Sequence, residues 1–413
     1  MMSSSTTRRN ALALGGGAAL LVAGRGIMRA DSGDRGLDPA PDSAPDSALA
    51  GALPPAGDAW SPWRDVDAAA LKGTPLALAA AGVLAANPHD TQPWLFRVRE
   101  DAIEVFADLS RHLGAMDCQV REMHLGLGCV IENMVLTAGP NGYAAMLDIE
   151  PGSLLALAAR TGMAKAATLR LTRQAPQAPD ALARAIAHRH TNRYPYERAR
   201  AVPEGWRDSA LHAGATEDVR VFLFEDGPER EMFDAAALDA TRAIIADATM
   251  IADSDRWLRT TRAEIEEHRD GPTLETAGLS TFTYMMAKAF PVSAETAHRG
   301  WFDQTRMQLA TARLAGFIAV RDRYDRAGAI AAGRTWQRLH LSAIAGGVAM
   351  QPINQPLEMI DRERATGGGD AWNRRIRRLT GDTWQATFSF RAGMPTADAP
   401  ASPRRALKDV VMR

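Results

Sequence analysis

The chain has 413 residues, 46% of them hydrophobic and 23% charged, with 48 basic side chains against 49 acidic ones. That length exceeds one ordinary core and points to two domains, or one domain duplicated. A net charge of −1 offers no global basic field for nucleic acid or an anionic membrane, so small molecules are the expected partners. Two cysteines do not make a disulfide framework in a chain of this size. Cys118 and Cys129 are expected on one helix, roughly 16 Å apart at ~1.5 Å per residue, too far to bridge.

Arg8-Arg9 precede a weakly apolar run over residues 11–23 that is diluted by Gly15, Gly16 and Gly17. The run is short for a bilayer span, and the layout reads as a signal peptide over 1–30, of the twin-arginine type. The competing reading is a basic tail. Residues 31–58 are rich in Pro, Asp, Ser, Ala and Gly and read as a disordered linker. No later run is long enough to span a membrane.

The folded body begins near Trp60. Residues 71–86 are Ala- and Leu-rich and predict a helix. Trp94, Phe96 and Val98 alternate as a strand, and Ile103 and Val105 continue the period after a charged turn, which predicts a hairpin. Leu127, Val130, Ile131, Met134 and Val135 mark one buried helix face. A short strand over 146–149 follows a Gly-Pro-Asn-Gly turn. The second half has a matching order: a strand at Val219, Val221 and Leu223, one or two helices over 229–269, a helix over 331–349, and a strand at Phe388 and Phe390. The fold class expected is α+β, with two similar halves. Two unrelated α+β pieces would give the same pattern.

Walker A, His-Glu-x-x-His and Gly-x-Ser-x-Gly patterns are absent from the body, and no histidine has convincing metal-ligand spacing. Three polar segments stand out. Asn87-Pro88-His89-Asp90-Thr91-Gln92-Pro93-Trp94 is a polar turn feeding an apolar strand, a place where side chains can face a ligand while the strand holds them still. Arg189-His190-Thr191-Asn192-Arg193 places two arginines and a hydroxyl at alternating positions, and the arginine fork suits phosphate. Ser402-Pro403-Arg404-Arg405 is a second basic cluster. Each also has an ordinary reading, as a hydrogen-bonded turn, a solvated basic turn and a basic tail.

Taken in order, these segments resemble the nitroreductase superfamily. Asn87 to Trp94 is similar to its Gln-Pro-Trp signature, and closely to the His-Asn-Thr-Gln-Pro-Trp form of the Acg-like branch. Arg189 to Arg193 looks like its Arg-x-Ser/Thr-x-Arg element. The stretch from Leu339 to Pro352 looks like the central helix and flavin-edge loop. Arg391-Ala392-Gly393-Met394-Pro395 and then Ser402 to Arg405 are similar to the carboxyl-terminal signature. The resemblance runs from about residue 60 to the end, and it departs from the pattern at Ala86, Asn87 and Asp90.

The resemblance implies a nitroreductase-like fold as a single-chain pseudo-dimer, with a first half over 59–187 and a second over 188–413. The cofactor implied is FMN. Arg189, Thr191, Arg193, Arg404 and Arg405 would hold its phosphate. Asn87, His89, Asp90, Gln92, Gly347, Met350, Gln351 and Pro352 would surround its ring. No side-chain acid or base is obligatory. The activity implied passes hydride from a small-molecule donor such as NAD(P)H to FMN and on to a small acceptor. An FMN-sequestering protein with a covered flavin is the alternative, and a cofactor-free exported interaction protein is a third reading. An insertion over about 260–302 resembles the branch's flavin-covering segment, or else is an arm packing the halves together. A carboxylate at Asp90 would be unfavourable beside a reduced flavin's pyrimidine edge unless protonated or turned away. Export to the periplasm or cell envelope is expected, as a monomer or a homodimer.

Overall fold

The computed structural model describes residues 53, 56–158, 161–213, 217–289 and 293–412. The expected signal peptide and nearly all of the expected linker lie outside the described residues. The end of that linker is packed: the Gly57 carbonyl accepts from Arg269 at 2.7 Å, and Leu53 lies against the main core.

Two antiparallel sheets of four strands form the frame. The first contains β1 (Trp94–Val98), β2 (Ala102–Asp108), β3 (Tyr143–Ile149) and β4 (Met163–Arg173), in the order β1-β2-β4-β3. The second contains β5 (Val219–Phe224), β6 (Leu314–Val320), β7 (Ala349–Pro352) and β8 (Gln385–Gly393), in the equivalent order β5-β6-β8-β7. In both sheets the register slips once between the two inner strands, at Val105/Phe106 and at Ile318/Ala319. The two halves therefore share one topology. The predicted hairpin is present, with Phe96 opposite Val105. Inner strands β4 and β6 escaped the sequence reading. β6 is buried on both faces and reads as a continuous apolar run without alternation.

Helix α1 (Pro75–Val83) is wholly buried, shorter than the predicted 71–86. Each half then carries one long helix between its second and third strands: α2 (Arg121–Ala138) and α3 (Arg326–Ala345). Asp117 caps the start of α2, accepting from the backbone N–H groups of Glu122 and Met123 at 3.1 and 2.9 Å. Asp325 does the same for α3 through Gly328 at 2.7 Å. Leu127, Val130, Ile131 and Met134 face the core as predicted. The predicted helix over 331–349 is displaced toward the N-terminus. It stops at Gly346 and Gly347, the latter at φ 71°, which frees residues 349–352 to pair as β7. Cys118 precedes α2 rather than sharing it with Cys129, and both thiols are free.

α2 and α3 cross with their backbones in contact. A Cβ on Gly128 would fall against the Ile330 carbonyl, and one on Gly333 against the Leu125 carbonyl. Gly128 and Gly333 stand at the same position of their helices, seven residues past Arg121 and Arg326. The crossing is thus reciprocal. The Cys129 thiol reaches the Gly333 carbonyl at 3.2 Å, and Gln337 donates to Asn133 at 2.8 Å across the same seam.

The chain end ties the halves together a second time. Phe96 of β1 receives the terminal segment, donating to Val410 and accepting from Met412 at 2.8 and 2.7 Å. Among the described residues no helix is long and apolar enough to cross a membrane.

Gly128→Ala should cost at least about 2 kcal/mol in urea denaturation, because backbone rather than a flexible side chain blocks the added methyl. Gly205→Ala, on an exposed helix with open space around it, should stabilise by up to about 1 kcal/mol.

Candidate functional site

A cavity of about 260 Å³ lies between the halves, joined to a recess of about 50 Å³. Together they reach the lower end of the ~300–1,000 Å³ usual for small-molecule sites. Asn87, His89, Thr191, Arg193, Pro272 and Thr276 line both and form the passage between them.

The passage is built on a strained turn. His89, Asp90 and Gln92 have φ of 46°, 50° and 49°, a region that non-glycine residues rarely adopt. Asn87 holds the turn, accepting from the Gln92 N–H at 2.7 Å and donating to Asp90 at 3.2 Å. His89 meets the Ser254 hydroxyl at 3.0 Å. Burial, helped by Arg193, pushes the His89 imidazole down to about 4, so it is neutral at pH 7.

The recess is cationic. Arg189, Arg193 and Arg404 line it with Thr191 and Ser402, and Asp90 is the one carboxylate among its walls. Arg404 is ion-paired with Asp90 and donates to Ser402 Oγ at 2.7 Å. Arg189 donates to the Leu84 carbonyl at 2.9 Å. Both guanidiniums lie near the Trp63 ring, and each is 2% exposed. Their Nε atoms are buried without a partner. Burial, and after it the neighbouring Arg404, push Arg189 down to about 9. Burial pushes the Asp90 carboxyl up, opposed by Arg404.

The structure thus brings Arg189, Thr191, Arg193 and Arg404 to one recess, together with Asn87, His89 and Asp90. Gln351 and Pro352 line the cavity beyond. Four expected residues stand elsewhere. Gln92 is fully buried and clamps the chain end: its amide donates to Arg269 O at 2.8 Å, and its Oε1 accepts from the Arg405 N–H at 2.7 Å. Arg405 reaches the carbonyls of Gln92 and Asp409 and lines neither space. Gly347 is exposed past the end of α3. Met350 is buried in β7 and contributes only its carbonyl, to the Asn192 N–H. The positive φ at Gln92 and the strand pairing of β7 are the physical reasons. Asp90 faces Arg404 and the recess and does not line the large cavity.

The segment expected as a lid or arm supplies one wall: Pro272, Thr273, Thr276, Ala297, His298 and Trp301. It is anchored to the turn, because Gly271 donates to the Asp90 carbonyl at 3.1 Å and Arg111 and Arg259 both pair with Asp270. Three helices, Pro228–Ala246, Ala248–Asp255 and Arg262–His268, replace the one or two expected before it.

The far wall carries two carboxyls that sequence reasoning missed. Glu122 is in the first turn of α2, and Glu358 is on α4 (Gln355–Thr366). The signal for Glu122 was present: Glu122, Leu125, Gly126 and Cys129 follow helical spacing along one face, so a charge shares an apolar side. Burial pushes Glu122 up to about 8 and Glu358 well above the usual carboxylate range.

No family model matches the chain. A curated protein of Mycobacterium tuberculosis (strain ATCC 25618 / H37Rv), named "Putative NAD(P)H nitroreductase", is 26% identical over 341 residues, covering 80% of this chain and 88% of that relative. A match of that length spans both halves and supports a relationship to the nitroreductases. Among solved structures, the FMN-dependent nitroreductase NfnB of Mycobacterium smegmatis in complex with NADPH aligns at TM-score 0.35 and 16% identity, over 56% of this chain and 97% of its own. A nitroreductase with bound FMN from Desulfitobacterium hafniense aligns at TM-score 0.33 and 13% identity, over 57% of this chain and 98% of its own.

Glu122 in the folded chain titrates near 8, against an ordinary value of 4.5. Folding therefore favours its protonated form. The penalty for ionising it is absent below about pH 4.5 and complete above about pH 8. Glu122→Gln should gain thermal stability over the parent progressively as pH rises through that window, read as the difference in Tm. A difference that shrinks with rising pH would contradict the assignment. Gln92→Leu should lose roughly 2–4 kcal/mol, because it orphans several buried backbone groups at once.

Proposed function

We propose that this chain is an FMN-dependent oxidoreductase of the nitroreductase superfamily, in the fused, Acg-like arrangement where one chain supplies both halves of one site. The observation that carries the reading is the buried recess of three arginines around one carboxylate, opening directly into a larger cavity between two halves of like topology. Excess buried positive charge with unpartnered guanidinium nitrogens calls for a dianion, and phosphate suits it.

The residues present fit FMN. Arg189, Arg193 and Arg404, with the hydroxyls of Thr191 and Ser402, would hold its phosphate. Asn87, Gly126, Gln351 and Pro352 line the space beyond, where its ring would lie. Bound FMN would supply a two-electron carrier between a reduced nicotinamide nucleotide and a small acceptor. The chain's own contribution is binding, orientation and exclusion of water. Asp90 holds the Arg404 fork in place. The wall of Pro272, Thr273, Thr276, Ala297, His298 and Trp301 covers one side of the cavity, and neutral His89 adds no charge to the passage. Export by the twin-arginine route is part of the proposal, supported by Arg8-Arg9 ahead of the apolar run. That route carries folded proteins with their cofactor in place.

Purified protein should show a flavin spectrum, or acquire one on addition of FMN, and bleach with NADPH under anaerobic conditions. A colourless protein that takes up no FMN overturns the proposal. Arg189→Met should weaken FMN binding by about tenfold or more, as expected for losing a charge-assisted phosphate contact. Arg405→Met should leave FMN occupancy unchanged, because that side chain serves Gln92 and Asp409.

A further inference from the structure

The end of the cavity remote from the arginine recess has the opposite character. Glu122 comes from the first half and Glu358 from the second, and both line the cavity. Behind them stand Asp117, Asp361, Arg121 and Arg323. Arg121 is fully buried and largely committed elsewhere: it bonds Asp361 at 2.7 Å and the Thr387 carbonyl, and it reaches Glu122 only at 3.4 Å. Arg323 donates to Asn373 at 3.1 Å. Both Asp117 oxygens are taken by backbone N–H groups. Tyr324 and Arg121 satisfy Asp361.

Glu358 is left without a donor. It is 6% exposed, and its Oε2 is buried with no hydrogen-bond partner. Four carboxyls stand against two buried guanidiniums that are committed to other partners, so neither guanidinium is left to pair with Glu358. Among the described residues no group of three His, Cys, Asp or Glu side chains is arranged to hold a metal ion. The cavity walls also include the apolar and aromatic side chains of Met116, Leu125, Leu258, Trp301 and Phe388, together with the amides Asn354 and Gln355 at the start of the helix of Glu358. Asp255, at the end of the helix Ala248–Asp255, and His298, from the covering segment, also face the cavity, and Arg193 is the guanidinium on its walls, at the passage to the recess.

We infer that the Glu122–Glu358 end of the cavity is a binding subsite for the cationic nitrogen head, amine or amidine, of a ligand whose body is flat and apolar. The carboxyls accept the head's N–H groups, and the aromatic walls take its body and favour its charge. This is a second ligand class for the cavity, and it stands apart from whatever the arginine recess holds. Because burial holds both acids up, an arriving cation displaces protons from the pair as it ionises them.

The test is calorimetric titration of the full chain, as isolated, with benzamidine and with benzamide, its uncharged analogue of the same shape. Benzamidine should bind about tenfold or more tightly than benzamide, with proton release at pH 7 seen as a dependence on buffer ionisation heat. Glu358→Gln should abolish both the preference and the proton release, and Glu122→Gln should weaken them. Glu358 has no hydrogen-bond donor to lose, and Gln is close in shape to its protonated carboxyl, so Glu358→Gln should leave the fold about as stable as the parent and is a usable variant. Equal binding of the two probes, no binding of either, or an undiminished preference in Glu358→Gln overturns the inference. The visible spectrum of the same samples keeps the two proposals apart. Retained flavin without benzamidine preference sinks only this subsite, and a colourless protein that takes up no added FMN yet prefers benzamidine sinks only the FMN assignment.

Discussion

The contact between α2 and α3 at Gly128 and Gly333 is the constraint on which the rest of the molecule depends. Side chains normally hold packed helices about 8–10 Å apart. Here two glycines at matching positions remove that spacer, and each backbone rests on the other's carbonyl. The sheets lie on either side of this pair. The cavity opens along it, lined by Glu122, Leu125, Gly126 and Cys129 of α2 and by Trp336 of α3. Separating the helices by one methyl group would move every wall of the site at once.

Around that seam the protein keeps an unusual amount of charge out of water. Arg189 and Arg404 are buried side by side with Asp90 as the one carboxylate in their recess, while Glu122 and Glu358 are buried with little compensation at the other end. Burying ionisable groups without partners is costly, and folds keep such groups where a ligand supplies what is missing. The cavity therefore has a direction, anion-seeking at one end and cation-seeking at the other. The strained residues His89, Asp90 and Gln92 mark its passage, and Val120, at φ 49°, precedes the helix turn that carries Glu122. Strain of this kind persists only where surrounding contacts over-determine it. Gln92 is the clearest case, since its amide is held by Arg269, Pro403 and Arg405 together.

Periodicity made much of the fold legible. The β1–β2 hairpin and the buried face of α2 followed from alternation and from 3.6-residue spacing, and α3 was located apart from its ends. β6 was not legible, because a strand covered on both faces shows no alternation. β7 was hidden because its four residues look like the continuation of a helix until Gly346 and Gly347 stop it. Arg189, Thr191 and Arg193 line one recess, where the intervening His190 joins them, and Ser402 stood unassigned inside a segment already singled out.

Local chemistry along the chain determined which side chains could serve a site: the polar turn at 87–92, the arginines at 189 and 193, and the basic pair at 404 and 405. It could not tell Arg404 from its neighbour Arg405. Adjacent residues in extended backbone point to opposite sides, and the bonds of the Arg404 N–H to the Ala59 carbonyl and of the Arg405 N–H to Gln92 decide which side is inward. Nor could it bring Glu122 to Glu358, which lie in different halves and line one cavity because the halves pack together. Residue type is written locally. The direction and company of a buried charge are set by long-range packing, and tertiary structure alone decided them.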